Sequence, residues 1–155
     1  MQFAPCFFYT VLAHVGRAPV SKTGSGRFEP CKRCHAAGGA YDFIGHLQTN
    51  KVKYIIDKVD MIHSVESLKL AEEIEKRAAQ KDIVMDILIE VNMAAEESKF
   101  GVKPEDTEAL LREIAKMQHI RVRGLMTVAP FVENQEENRE VFRQMRELLL
   151  SLIHI

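Results

Sequence analysis

Cysteine is scarce in this sequence: Cys6, Cys31 and Cys34 are the whole complement, and none lies beyond residue 34. An odd number confined to one end is no disulfide framework, and it suits a reducing compartment. Long apolar runs are missing too. Stretches such as Ile87-Leu88-Ile89 fall far short of the roughly 18 to 20 residues that span a bilayer. The apolar start, Met1 to Leu12, has no basic segment before it, so no signal peptide is expected and a cytoplasmic setting is. Neither sign of charge dominates. With 21 basic and 22 acidic residues the net charge is −1, which gives no global field for a nucleic-acid or membrane-surface partner.

What is present describes a soluble globular chain. Of 155 residues, 46% are apolar and 28% charged, enough for one ordinary domain with a sizeable core. The chain divides near residue 41. Residues 1–41 hold most of the glycines and three of the five prolines, with no sustained period, and are expected to be a divergent or poorly ordered N-terminal segment. Its cluster Phe7-Phe8-Tyr9-Thr10-Val11-Leu12 suits a strand, and Thr23 to Gly39 reads as loop.

From residue 42 the grammar becomes regular. Asp42 to Gly45 predicts a short strand, and Asn50 to Lys58 a short helix burying Val52, Ile55 and Ile56. Met61 to Ser64 is the next strand, with Ser64 able to cap a helix whose Leu68, Ala71, Ile74 and Ala78 recur at helical spacing. Val84 to Val91 is nearly continuous in aliphatic residues, as in a parallel strand buried on both faces. Pro104 suits the first turn of a helix, with Glu105 and Asp106 at the positive end of its dipole. Leu110, Leu111, Ile114 and Met117 give that helix its buried stripe. Ile120 to Val128 predicts a strand, and Asn134 to about Leu150 a helix with Val141, Phe142, Met145, Leu148 and Leu149 inward.

This β-α alternation predicts parallel strands joined by right-handed crossovers. No glycine-rich dinucleotide fingerprint follows any strand, which favours a barrel over a nucleotide-binding sheet. The fold class expected is α/β: a partial (β/α)8 TIM-type barrel of about four regular βα units in residues 42–155.

In such a barrel the working face lies at the C-terminal ends of the strands. Here those ends carry Gly45, His46 and Gln48, then His63 and Ser64, then Glu90 and Asn92, then Gly124, Met126 and Thr127. Each has a plainer reading. Ser64 equally suits a helix cap, His46 and His63 satisfied structural histidines, Asn92 a turn, and Met126 core. Their convergence at one end describes a pocket mouth. The segment Cys31-Lys32-Arg33-Cys34-His35 fits the c-type haem attachment pattern, and its Cys-x-x-Cys suggests zinc or redox chemistry. No export signal supports haem, and Cys6, His14, His35 and His46 make no known zinc spacing, so no metal site is expected.

Three segments go further. Phe43-Ile44-Gly45-His46-Leu47-Gln48-Thr49-Asn50-Lys51 resembles the signature of the pyridoxal-phosphate homeostasis proteins, relatives of the alanine racemase N-terminal barrel. Ile89-Glu90-Val91-Asn92 with Glu97-Ser98-Lys99-Phe100-Gly101, and Arg123-Gly124-Leu125-Met126-Thr127, resemble that family's next segments in order and spacing. The resemblance implies a barrel holding pyridoxal 5'-phosphate as a Schiff base to a lysine at the end of the first strand. The family's Val-Ser-Lys-Thr segment is matched here by Val20-Ser21-Lys22-Thr23. Such a lysine must be able to lose its proton, which desolvation or a nearby cation promotes.

The cofactor-binding set implied is therefore Lys22, His46, Ser64, Asn92 and Met126, with no catalytic residue. The function implied is non-enzymatic control of intracellular pyridoxal phosphate, with cofactor-dependent apoenzymes as partners. The alternatives are a racemase-like amino-acid enzyme, which needs a second acid/base group, and a fragment that binds no cofactor. Before Lys22 stands Gly16-Arg17-Ala18-Pro19 rather than the family's aliphatic run, and the family's Gly-Glu-Asn strand is absent. The family's two phosphate-binding strands have no counterpart after Leu150. A truncated or mis-assembled member is expected on those grounds, binding the cofactor weakly or not at all.

Overall fold

The computed structural model describes residues 12–15, 41–94, 100–130 and 132–155. Among them, five strands form one parallel sheet: β1 (Leu12–Val15), β2 (Asp42–Phe43), β3 (Met61–Val65), β4 (Met85–Glu90) and β5 (Ile120–Ala129). The helices are α1 (Val52–Ile55), α2 (Leu68–Lys81), α3 (Pro104–Ile114) and α4 (Arg139–Leu152). Short 3-10 turns lead into the first and last, over Thr49–Lys51 and Gln135–Asn138. The spatial order β1-β5-β4-β3-β2 places β2 to β5 side by side in chain order. That succession of βα units is an arc of a (β/α) barrel.

The helices pack on one side of this arc because every second strand residue is aliphatic there. Ile62 and Val65 of β3, Met85, Ile87 and Ile89 of β4, and Leu125 of β5 join one core with Val52, Ile55, Ile74, Ile114 and Met145. Alternation then turns Asp86, Leu88 and Glu90 to the opposite, inner face. Two register shifts modify that face. Ile62 opposes Ile87 but Val65 opposes Ile89, so His63 and Ser64 together stand against Leu88. Likewise Ile87 opposes Val122 but Leu88 opposes Gly124, which leaves Arg123 as the extra residue. A bulge of this kind aims two neighbouring side chains to one face.

Several predicted boundaries move. β2 ends at Phe43 and leaves Ile44 exposed, because Gly45 at φ +105° turns the chain out of the strand. Ser64 is no cap: β3 runs on to Val65, and Ser67 caps α2 by accepting from the Leu70 amide at 3.4 Å. Leu70 accordingly replaces Leu68 on the buried face of α2. Val84 is exposed, and Val91 forms an isolated bridge to Val102 beyond β4. Pro104 opens α3 as expected, while Met117 packs on the core from beyond its end. On α4 the inward residues are Met145, Leu149 and Leu152, with Val141, Phe142 and Leu148 half-buried.

The strand near the N-terminus begins where the predicted cluster ends, at Leu12, and Phe7 to Val11 lie outside the described residues. Chain order would seat β1 beside β2. Instead it pairs in parallel with β5, Leu12 opposite Met126 and Val15 opposite Ala129. It thus covers the backbone edge that the long β5 would otherwise present.

Candidate functional site

The C-terminal ends of β2, β3 and β4 are tied together through one carboxylate. Glu66, the residue after β3, lies with Oε1 3.2 Å from Nδ1 of His46, which follows β2. Its Oε2 accepts the Gly101 amide at 3.3 Å. The His46 ring stacks on Phe100, centroids 4.0 Å apart and planes 16° off parallel. The Gly101–Val102 segment is in turn zipped to the end of β4. Val102 donates its amide to the Glu90 carbonyl at 2.8 Å, and Asn92 donates to the Val102 carbonyl at 2.9 Å. Gly101 sits at φ +117°, where a Cβ would lie 2.7 Å from the Asn92 nitrogen. Only glycine permits that approach.

Below this rim the inner face holds buried polar groups. Ser64 is 1% exposed, and its hydroxyl has no hydrogen-bond partner among the described residues. His63 is also buried; its Nε2 lies 3.3 Å from Asp42 Oδ2 but outside hydrogen-bond alignment. Glu90 is buried at the end of β4. Loss of water, together with the neighbouring charge of Glu66, raises its carboxyl to about 7. Met126 lies opposite Glu90 in the sheet and is buried, its carbonyl accepting the Val91 amide at 2.8 Å.

Four of the five sequence-derived site residues thus have a described place. His46 and Asn92 stand at the rim, and Ser64 and Met126 on the inner face. Lys22 lies outside the described residues, as does Cys31 to His35. Thr127 alternates with Leu125 toward the helices rather than into the mouth; it is buried, and its hydroxyl has no partner among the described residues. Glu66 and the pairing of His46 with Phe100 were not anticipated. An acid directly after β3 and a histidine three residues after β2 are the signal the sequence carries for this.

The opposite, N-terminal ends of the strands are closed by paired charges. Arg121 grips Asp86 through Nε and Nη2 at 2.6 and 3.1 Å, and Arg123 lies 3.6 Å away. Glu75 of α2 accepts the amides of Gln118 and His119 and meets the His119 ring at 2.9 Å. Among the described residues no group of side chains is arranged to hold a metal ion, and no helix is long and apolar enough to cross a membrane.

The chain resembles known proteins. The pyridoxal phosphate homeostasis protein of Aquifex aeolicus is 50% identical over 108 residues, covering 70% of this chain and 47% of that protein. Its Haemophilus influenzae namesake is 31% identical over 112 residues, covering 72% and 47%. The chain therefore spans about half the length of the curated relatives it matches. PipY of Synechococcus elongatus PCC7942, solved without PLP, superposes with a TM-score of 0.71 at 28% identity over 78% of this chain and 58% of PipY. Its PLP-bound structure gives 0.65, also at 28% identity, over 73% and 52%. An alanine racemase of Clostridium difficile 630 matches at 0.58 and 16% identity over 72% of this chain and 30% of the racemase, a likeness of fold alone. The family model of the alanine racemase N-terminal domain matches residues 20–154, taking in both the Val20-Ser21-Lys22-Thr23 segment and the rim, and the chain belongs to that family.

Proposed function

We propose that this chain holds pyridoxal phosphate on the inner face of its barrel arc, through Lys22, and serves the cofactor's homeostasis rather than catalysis. The observation that carries the reading is the buried Ser64 hydroxyl, aimed by a bulge to the inner face and left without a partner among the described residues. A buried polar atom of this kind calls for a polar ligand or water. Pyridoxal phosphate, when bound, supplies an aldehyde carbon that a neutral lysine amine can attack.

In this reading Ser64 hydrogen-bonds the cofactor, Met126 packs against its ring, and His46 and Asn92 border the mouth. Lys22 supplies the attaching amine. Two relatives named for pyridoxal phosphate homeostasis support the carrier role, and the cofactor-bound structure of PipY supports the ligand. Cofactor-dependent apoenzymes as recipients and a cytoplasmic setting belong to the same proposal.

Borohydride trapping tests it, because reduction records even a weak lysine adduct. The 155-residue chain is incubated with pyridoxal phosphate at low concentration, reduced, digested and mapped by mass. Lys22 is expected to carry most of the label, and Lys22→Ala to lose it. A label spread evenly over exposed lysines, unchanged in Lys22→Ala, would overturn the assignment.

A further inference from the structure

We propose that Glu66 is a positioning residue of this site: its single carboxylate fastens the residues following β2, β3 and β4 into one preset rim at the pocket mouth. The inference rests on the cofactor reading above for what enters the mouth, and on the rim's own geometry for the rest. Glu66 uses its two oxygens on two different loops, one on the His46 ring and one on the Gly101 amide. Phe100 then stacks on the face of the His46 ring. Three strand ends thereby share one link, so the mouth is set before a ligand arrives, and binding need not supply that ordering.

The same carboxylate has a second effect. On the strands flanking Glu90 stand Arg123 of β5 and His63 of β3, and Glu66 follows β3. Arg123 lies toward Asp86, and His63 toward Asp42. Glu66 is therefore the charge that Glu90 answers to, beyond the loss of water. Pyridoxal phosphate is an anion. A neutral Glu90 leaves the mouth one negative charge fewer, so ionisation of Glu90 with rising pH should loosen the ligand.

Three measurements decide the matter, two of them without ligand. Hydrogen exchange at the Gly101 amide should be about tenfold faster in Glu66→Ala than in the parent. Glu66→Gln keeps an oxygen for that amide and should stay near the parent rate. Carbon NMR of the Glu90 carboxyl should show its midpoint falling part of the way to the ordinary carboxylate value in Glu66→Gln, where the charge is gone and the link kept. Pyridoxal phosphate capture should weaken several-fold in Glu66→Ala and recover in Glu66→Gln. Relative to Glu90→Gln, capture by the parent should decline as pH rises through neutrality, a comparison in which the titrations of the ligand and of the attaching amine cancel.

An unchanged Gly101 exchange rate in Glu66→Ala, or an unmoved Glu90 midpoint in Glu66→Gln, would overturn the proposal. If the parent captures no cofactor at all, the reading of the preceding subsection fails, while the amide and carboxyl measurements still decide the rim.

Discussion

The two ends of the parallel sheet are built from similar residues and treat them in opposite ways. At the N-terminal end three carboxylates meet donors. Asp86 receives Arg121, Glu75 receives two amides and the His119 ring, and Asp60 accepts the Tyr41 amide at 2.6 Å. At the C-terminal end Glu90 is buried beside another carboxylate, and the Ser64 hydroxyl is buried without a partner among the described residues. One end is arranged for stability, the other keeps groups in reserve at a cost. That division is what a (β/α) barrel shows between the bottom of its strands and its working face.

The largest blow to the C-terminal end should come from Gly101→Ala. A Cβ at φ +117° meets the Asn92 backbone nitrogen at 2.7 Å, and backbone cannot yield as a flexible side chain would. Positive-φ strain and the overlap together should cost about 2 to 4 kcal/mol. Urea denaturation of parent and variant reads it directly. A cost under about 0.5 kcal/mol, the range of ordinary surface changes, would mean that the Gly101–Val102 zipper is not part of the settled fold.

Glu90→Gln should act in the other direction, and only at higher pH. Glu90 holds its proton more tightly folded than unfolded, with its carboxyl raised to about 7. The stability this lends is complete below the ordinary carboxylate value and is lost as pH rises through about 7. Glutamine has no such loss. The variant should therefore match the parent near pH 5 more closely than at pH 8, where it should be the more stable by about 2 kcal/mol. Denaturation curves at the two pH values give the difference. A gap that does not widen with pH would make Glu90 as well settled as the acids at the other end.

The contrast between the ends was only half legible in the sequence. Period and apolar content located β3, β4, β5 and the helices between them, because each must bury one face and the code for that is local. The family segments located His46, Asn92 and Met126 at one end. What escaped depends on register. Ser64 reads equally well as a cap until the shift between Ile62 and Val65 is known, since that shift sends it to the inner face and hands the cap to Ser67. Glu66 looks like an ordinary first-turn acid of α2, and only its reach to His46 and Gly101 separates it from one. The pairing of β1 with β5 is a contact between residues more than a hundred positions apart, for which four residues of local pattern carry no instruction.

The smallest effect sharpens the N-terminal side of the comparison. Burial works against the Glu75 charge, but hydrogen bonds from the His119 ring and the amides of His119 and Gln118 outweigh it, and its carboxyl is held below the ordinary value. Its contribution is thus present above that ordinary value and is lost as pH falls through the folded one. Glu75→Gln keeps an oxygen for the amides and loses only the charge. Because the pair with His119 is partly exposed to solvent, the cost at pH 7 should be about 0.5 to 1 kcal/mol, shrinking toward zero in acid. Glu90→Gln and Glu75→Gln make the same chemical change, so opposite signs at neutral pH would assign the difference to the end of the sheet rather than to the residue. Equal signs would erase the distinction between a paired acid and a reserved one.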